Sequence, residues 1–166
     1  MSTSKPQFVY ITYIAAPPEK VWEALTKPDI TEKYWFGYRV AADGQPGDLM
    51  TATNPAGGLS HRDPIIESDP PRRLVYGWKP LYKDVPDERP SRVTFELTPL
   101  KGQTRLMVIH DDFDDDSKIF GMISKGWPAV LSSLKSFLET GRGLEPSWNE
   151  ADQRRADDRQ CGIGKG

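Results

Sequence analysis

The sequence predicts an α+β domain in which a curved antiparallel sheet, of about six or seven strands, wraps around one long C-terminal helix. Three observations predict it. Short β-branched and aromatic runs separated by turn residues fill the chain from residue 38 to about residue 112. Two short helical stretches follow a first strand. Residues 117–140 carry apolar side chains at three- and four-residue intervals, the mark of an amphipathic helix. A sheet with one apolar face needs a cover, and this last helix is the element long enough to provide one.

The first strand is expected over residues 8–14, from Phe8 to Ile14, where every residue is β-branched or aromatic. This run, up to Ala16, is also the nearest thing to a signal peptide, but two threonines interrupt it and it alternates like a strand. Pro17 and Pro18 then open a helix, because the first helical turn has no use for the missing N–H. Val21, Trp22 and Leu25 give that helix an apolar face, and Lys27-Pro28 ends it. A second short turn carries Ile30, Tyr34 and Trp35, with Asp29 as its expected cap and Gly37 as its stop.

Strands are then expected at 38–41, 49–53, 64–68 and 74–78, with turns at 42–48 and 54–58 and a stiff link at Asp69-Pro70-Pro71. A loop rich in proline and charge covers 79–91. Residues 92–98 and 104–111 form a hairpin across Pro99–Gln103. In the long helix, Gly126 and Pro128 predict a kink or break near Ser124, whose carbonyl loses its partner, and Gly141 is the natural stop. The domain is expected over 7–143, after a flexible N-terminus at 1–6. A polar tail over 144–166 is expected to be disordered or loosely docked, with a frayed helix over 147–158 as the other possibility and an incidental thiol at Cys161.

Composition removes several function classes. Of 166 residues, 37% are hydrophobic, which supports a core at this length and excludes disorder of the whole chain. A net charge of -2 offers no basic excess for nucleic acid. One cysteine and two histidines exclude a disulfide framework, a multi-cysteine zinc site and a histidine-rich metal centre. No apolar run reaches the ~18 residues needed to cross a bilayer. No cofactor is implied, and the cytoplasm is the expected location.

Three local motifs carry a family likeness. The first runs from Ile14 through Pro17-Pro18-Glu19-Lys20-Val21-Trp22 to Thr26, followed by Tyr34-Trp35-Phe36-Gly37. The second is Asp69-Pro70-Pro71-Arg72-Arg73-Leu74 leading to Tyr76 and Trp78. The third is Thr104-Arg105-Leu106 through His110, then Gly126-Trp127 with Leu131, Leu134 and Lys135. Together they resemble the SRPBCC or START-like superfamily of helix-grip domains over residues 7–141. The nearest likeness within it is to bacterial proteins similar to the activator of the ninety-kilodalton heat-shock-protein ATPase. The resemblance implies the fold. Function stays open, since the superfamily includes lipid carriers, cyclases, antibiotic-binding proteins and co-chaperone domains.

Candidate site residues come from alternation. Leu106, Val108 and His110 share the face turned to the long helix, as do Tyr10 with Thr12, and Leu74 with Tyr76 and Trp78. His110 is either a polar anchor or acid/base in a cavity, or a half-buried histidine bonded to the backbone or to Tyr76. Tyr10, Thr12, Trp35, Tyr76, Trp78, Phe95, His110, Phe113, Ile123, Trp127 and Leu131 are the expected ligand-binding set. Such a wall combines apolar surface with hydroxyl and indole N–H groups, and a fully dry core would favour Leu and Phe.

Other clusters read as scaffold. The aspartates at 111, 112, 114, 115 and 116 fail the calcium-loop register, which would require Gly at Ser117 and Glu at Ile123. They suit the positive end of the following helix, with Asp116 or Ser117 as its cap. His61-Arg62-Asp63 lacks metal-site spacing and is expected at a surface edge or pocket rim. Met107 and Ile109 fall on the outer face as a small apolar spot.

Three functions compete. The first is non-catalytic binding of a small hydrophobic or amphipathic ligand between sheet and helix. The second is a chaperone-associated or regulatory interaction protein. The third is an enzyme resembling polyketide cyclases, in which His110 works with Tyr76 or Asp111. The expected partners are a small molecule and a possible protein, with the chain a monomer or homodimer.

Overall fold

The computed structural model describes residues 5–81 and 84–145. The expectations for the tail over 146–166, including Cys161 and the alternative helix, lie outside the described residues, as does most of the N-terminal segment. Strand β1 (Phe8–Ile14) leads into helices α1 (Pro18–Thr26) and α2 (Pro28–Thr31). Strands β2 (Arg39–Ala41), β3 (Leu49–Thr53), β4 (Leu59–Asp69), β5 (Arg73–Trp78), β6 (Ser91–Leu100) and β7 (Gln103–Asp111) follow, and α3 (Ile119–Thr140) comes last. The seven strands form one antiparallel sheet in the order β1-β7-β6-β5-β4-β3-β2. The expected α+β architecture is therefore the observed one.

Alternation decides the faces. On β7, Thr104, Leu106, Val108 and His110 are buried while Arg105, Met107 and Ile109 are half-exposed on the other side. The inner face meets α3 through Ile119, Ile123, Trp127, Val130, Leu131 and Leu134, all buried and spaced for one helical stripe. Val21, Ala24 and Leu25 of α1 join the same core.

The last helix also reaches the free edge of β1 at its C-terminal end. Lys135 Nζ donates to the Tyr13 carbonyl at 2.6 Å, and Glu139 accepts the Ala15 N–H at 3.0 Å. The two side chains pair with each other at 2.6 Å, so one ion pair covers a donor and an acceptor that strand pairing leaves over. At its C-terminus α3 stops at Gly141, whose positive φ of 85° lets its N–H return to the Phe137 carbonyl at 2.8 Å.

Several expectations need correction. Helix α3 does not break near Ser124; it runs unbroken through Pro128. The Ser124 hydroxyl bonds the Phe120 carbonyl at 2.6 Å, and packing of the apolar stripe on the sheet outweighs one lost ladder bond. Asp29 does not cap α2. It pairs with Arg39 at 2.5 Å, and Lys27 occupies the cap position. The cap of α3 is shared. Ser117 accepts the Phe120 N–H at 3.1 Å, as expected, but Glu88 of the preceding loop takes the Lys118 N–H at 2.9 Å.

Strand β4 begins at Leu59 rather than Pro64, so His61, Arg62 and Asp63 lie within a strand. Pro64 stays in the ladder opposite Leu49, and the register with β5 shifts only after it, between Ile65 and Glu67. The β6–β7 hairpin is also tighter than expected. Leu100 pairs with Gln103 across Lys101-Gly102, and Gly102 supplies the positive φ of 71°.

Among the described residues no helix is long and apolar enough to cross a membrane. No group of three or more potential ligands that could hold a metal ion occurs among them either.

Candidate functional site

At the centre of the inner face a chain of hydrogen bonds joins helix to sheet. Trp127 Nε1 donates to His110 Nδ1 at 3.0 Å, and His110 Nε2 lies 2.7 Å from Ser91 Oγ. An indole N–H can only donate, so Nδ1 is the acceptor and the proton sits on Nε2. Nε2 then donates to Ser91, and Ser91 in turn donates to the Trp78 carbonyl at 3.2 Å. Burial, reinforced by the charge of His61, pushes the His110 pKa down to about 3. Both ring nitrogens of this neutral imidazole are engaged, which leaves neither for a substrate proton.

The partners expected for His110 are therefore replaced: Ser91 and Trp127 hold it, not the backbone or Tyr76. Asp111, the other expected helper, lies on the opposite face of β7. There it pairs with Arg92 through two bonds of 3.0 Å. One step along a strand reverses the side chain, so Asp111 and His110 cannot converge.

Beside this chain lies an aromatic cleft in two compartments. One of about 190 Å³ is lined by Trp35, Phe36, Tyr38, Val40, Met50, Ala52, His61 and Trp78. The other, about 160 Å³, lies against the N-terminal half of α3 and is lined by Trp35, Trp78, Pro80, Ile119, Met122, Ile123, Gly126, Trp127 and Val130. Trp35 and Trp78 line both. Each leans on Trp127, with ring centroids 5.6 Å and 5.5 Å apart. None of the described lining residues carries Lys, Arg, Asp or Glu chemistry, and burial holds the His61 pKa down to about 4.

Local backbone geometry sets the mouth. Trp35 closes a turn through its N–H to the Thr31 carbonyl at 2.7 Å, and Phe36 and Gly37 both take positive φ, 52° and 86°. A Cβ on Gly37 would stand 2.9 Å from Pro55 Cγ, so glycine lets the β3–β4 loop seat directly on this turn.

Three buried polar atoms have no hydrogen-bond partner among the described residues: Trp78 Nε1, Tyr76 Oη and Asp63 Oδ2. They come from neighbouring positions of β4 and β5 on one face. Burial raises the Asp63 pKa, and Tyr76, enclosed beside that carboxyl, is raised beyond the usual phenol range.

Of the expected binding set, Trp35, Trp78, Ile123 and Trp127 line the cleft. Tyr76, Phe95, His110, Phe113 and Leu131 are buried in the core behind it. Tyr10 and Thr12 are half-buried on β1, where Tyr10 stacks on Phe8 at 6.4 Å between centroids. His61 and Asp63, expected at an edge or rim, are 3% and 2% exposed, and His61 lines the first compartment. The missed signal is alternation: counting in twos from the buried Ile65 places 63 and 61 on the inner face. Ser91 carries no comparable signal.

With this geometry in view, comparison with known proteins adds the following. The model of the family described as activator of Hsp90 ATPase homolog 1-like protein matches residues 15–139. Among curated proteins nothing matches. A solved structure of a Mesorhizobium loti protein is similar at 28% identity and a TM-score of 0.68, over 81% of this chain and 97% of that one. The Aha1 dimer from Colwellia psychrerythraea is similar at 22% identity and a TM-score of 0.66, over 83% and 99%. An HSP90 activator from Plasmodium falciparum is similar at 21% identity and a TM-score of 0.59, over 73% and 86%. The last two likenesses concern the fold.

Proposed function

The chain belongs to the activator of Hsp90 ATPase homolog 1-like protein family, and from that premise we propose that it binds a small hydrophobic or amphipathic molecule, without catalysis, between the sheet and α3. One observation carries the reading: an aromatic-lined cleft, free of charged side chains among its described lining residues. The non-catalytic part rests on His110, whose two nitrogens are already engaged. The protein works in the cytoplasm, as a monomer or homodimer, and needs no cofactor.

Native mass spectrometry of gently purified protein tests this. A co-purifying small mass that is lost on denaturation is the expected result. A clean apo mass, together with no rise in Tm across a panel of lipids and aromatic metabolites, would remove the reading, since a guest bound to the folded state must stabilise it.

A second reading, a protein partner such as a chaperone ATPase, is favoured by the outer face of β1. Val9, Ile11 and Tyr13 stand 44%, 43% and 50% exposed there. Pull-down of a chaperone ATPase with altered turnover supports it, and absence of association ends it.

A further inference from the structure

We infer that two copies of the chain associate through β1, whose free edge pairs antiparallel with its counterpart about a two-fold axis at Val9. Such pairing takes up the homodimer of the proposed function, and the cleft and its guest play no part in it.

Strand β1 is one edge of the sheet, with β7 on one side only. The Tyr13 carbonyl accepts from Lys135 and the Ala15 N–H donates to Glu139, so both groups point away from β7. Backbone groups alternate in direction along a strand, which turns those of Val9 and Ile11 to the same open side. No described residue bonds to them there.

A sheet edge is normally guarded by shortness, charge or proline. The opposite edge follows that rule: β2 has three residues, and its Arg39 is paired with Asp29 and Glu32. Strand β1 runs for seven residues with no charged side chain and no proline. Its one guard, the Lys135–Glu139 pair, sits at the far end beside Tyr13 and Ala15.

The pattern of this bare edge fits itself. Because Lys135 holds the Tyr13 carbonyl, the open stretch is centred on Val9. Two such stretches in antiparallel register set Val9 opposite Val9 and Gln7 opposite Ile11. The same register sets Phe8 of each chain opposite Tyr10 of the other on the inner face. Within one chain these two rings are half-buried and stack at 6.4 Å, and across the axis they become a continuous aromatic row. The ends match in charge as well. Lys5, exposed just ahead of the strand, is carried toward the end of the copy's strand where Glu139 lies. An unrelated peptide would need all three matches by coincidence, whereas a second copy brings them. One strand per side is a smaller contact than the ~20–30 residues per side of a standard interface, so the dimer is weak and concentration-dependent.

Sedimentation velocity of the full chain without added ligand, from about 5 to about 500 µM, covers the affinities of such small contacts. A shift from monomer to dimer across that range is expected. Ile11 is 43% exposed, so Ile11→Lys charges the edge without disturbing the core. It should weaken the dimer at least about tenfold and leave the Tm of dilute protein unchanged. In a Cys161→Ser background, Val9→Cys should cross-link under mild oxidation, since paired Cα atoms at the axis stand about 5.5 Å apart. Leu59→Cys, equally exposed but on β4, should not.

Monomer alone at the highest concentration overturns the dimer. A dimer that survives Ile11→Lys unchanged overturns the edge as its site, and a dimer in which Val9→Cys fails to link overturns the register. Each of these leaves cleft binding standing, because no guest is present. The cross-linking pair decides the site even if Ile11→Lys does not fold.

Discussion

Trp127 Nε1 stands 3.0 Å from His110 Nδ1, and this one contact from helix to strand determines the chemical form of the imidazole. Because the donor is fixed, the histidine must be the neutral Nε2–H tautomer, and its own proton is committed to Ser91. A pair that looks from the sequence like a base beside an aromatic wall is instead a buried tether between α3 and β7. Nitrogen-detected NMR should show Nδ1 unprotonated and Nε2 protonated at pH 7.

Trp127→Phe keeps most of the ring contacts and removes the donor. The buried Nδ1 is then left without a partner, and the expected loss is about 1–3 kcal/mol of unfolding free energy. Urea titration of variant and wild type measures it. An unchanged midpoint would mean that the tether carries no net stability.

Stability should fall as the solution is acidified below about pH 6.5. His61 and His110 have folded pKa values depressed to about 4 and about 3, against about 6.5 for an exposed histidine. Their contribution is complete above the unfolded value and is lost as pH drops toward the folded values, because the unfolded chain takes up protons first. Each histidine contributes a slope of up to about 1.4 kcal/mol per pH unit between those limits. Urea midpoints at pH 7, 6 and 5 should decline, and His61→Asn should flatten the decline by about half.

Asp63 acts with the opposite sign. Its folded pKa is raised by burial, so the protonated form suits the fold and ionisation at neutral pH works against it. Asp63→Asn should therefore stabilise the protein at pH 7, by roughly 1 kcal/mol. The gain should shrink as pH falls through the raised folded pKa and be gone once pH is below the ordinary carboxylate value, where the wild-type carboxyl is neutral in folded and unfolded states alike. Melting temperatures of the two proteins at pH 7 and pH 4 make the comparison.

Gly121 lies inside α3 with no atom within 4 Å of where a Cβ would stand, and it does not need a positive φ. Gly121→Ala should stabilise the helix by about 0.5–1 kcal/mol. The same substitution at Gly37 should destabilise, since Pro55 occupies the space and φ is 86°. Thermal melts of both variants, run together, test the contrast.

Much of the frame is legible because its signals are periodic. The two-residue alternation from Thr104 to His110 and the three- and four-residue spacing from Ile119 to Leu134 each name a buried face without reference to anything distant. His61 and Asp63 escaped because polar residues next to Pro64 look like a loop, whereas their register with Ala52 and Met50 of β3 shows them to be strand. The cleft is harder still. Trp35 and Trp78 are visible as aromatics, but their shared place in both compartments depends on the turn after α2, β5 and α3 meeting in space. Ser91 is bonded to a histidine 19 positions away, and no local pattern announces such a pair.

The strand order has a consequence for how the molecule is made. Every neighbouring pair in the sheet joins consecutive strands except β1 and β7. Thr104 reaches the Ala16 carbonyl across 88 positions of sequence. A ribosome therefore delivers β1 well before its sheet partner β7, while α3, which holds the far end of that strand, emerges after both. Until then a strand of alternating aromatic and β-branched residues waits with both edges open, the condition under which nascent chains associate wrongly. This topology leaves β1 waiting through the synthesis of six further strands, and it places commitment to the fold after β7 and α3 have been made.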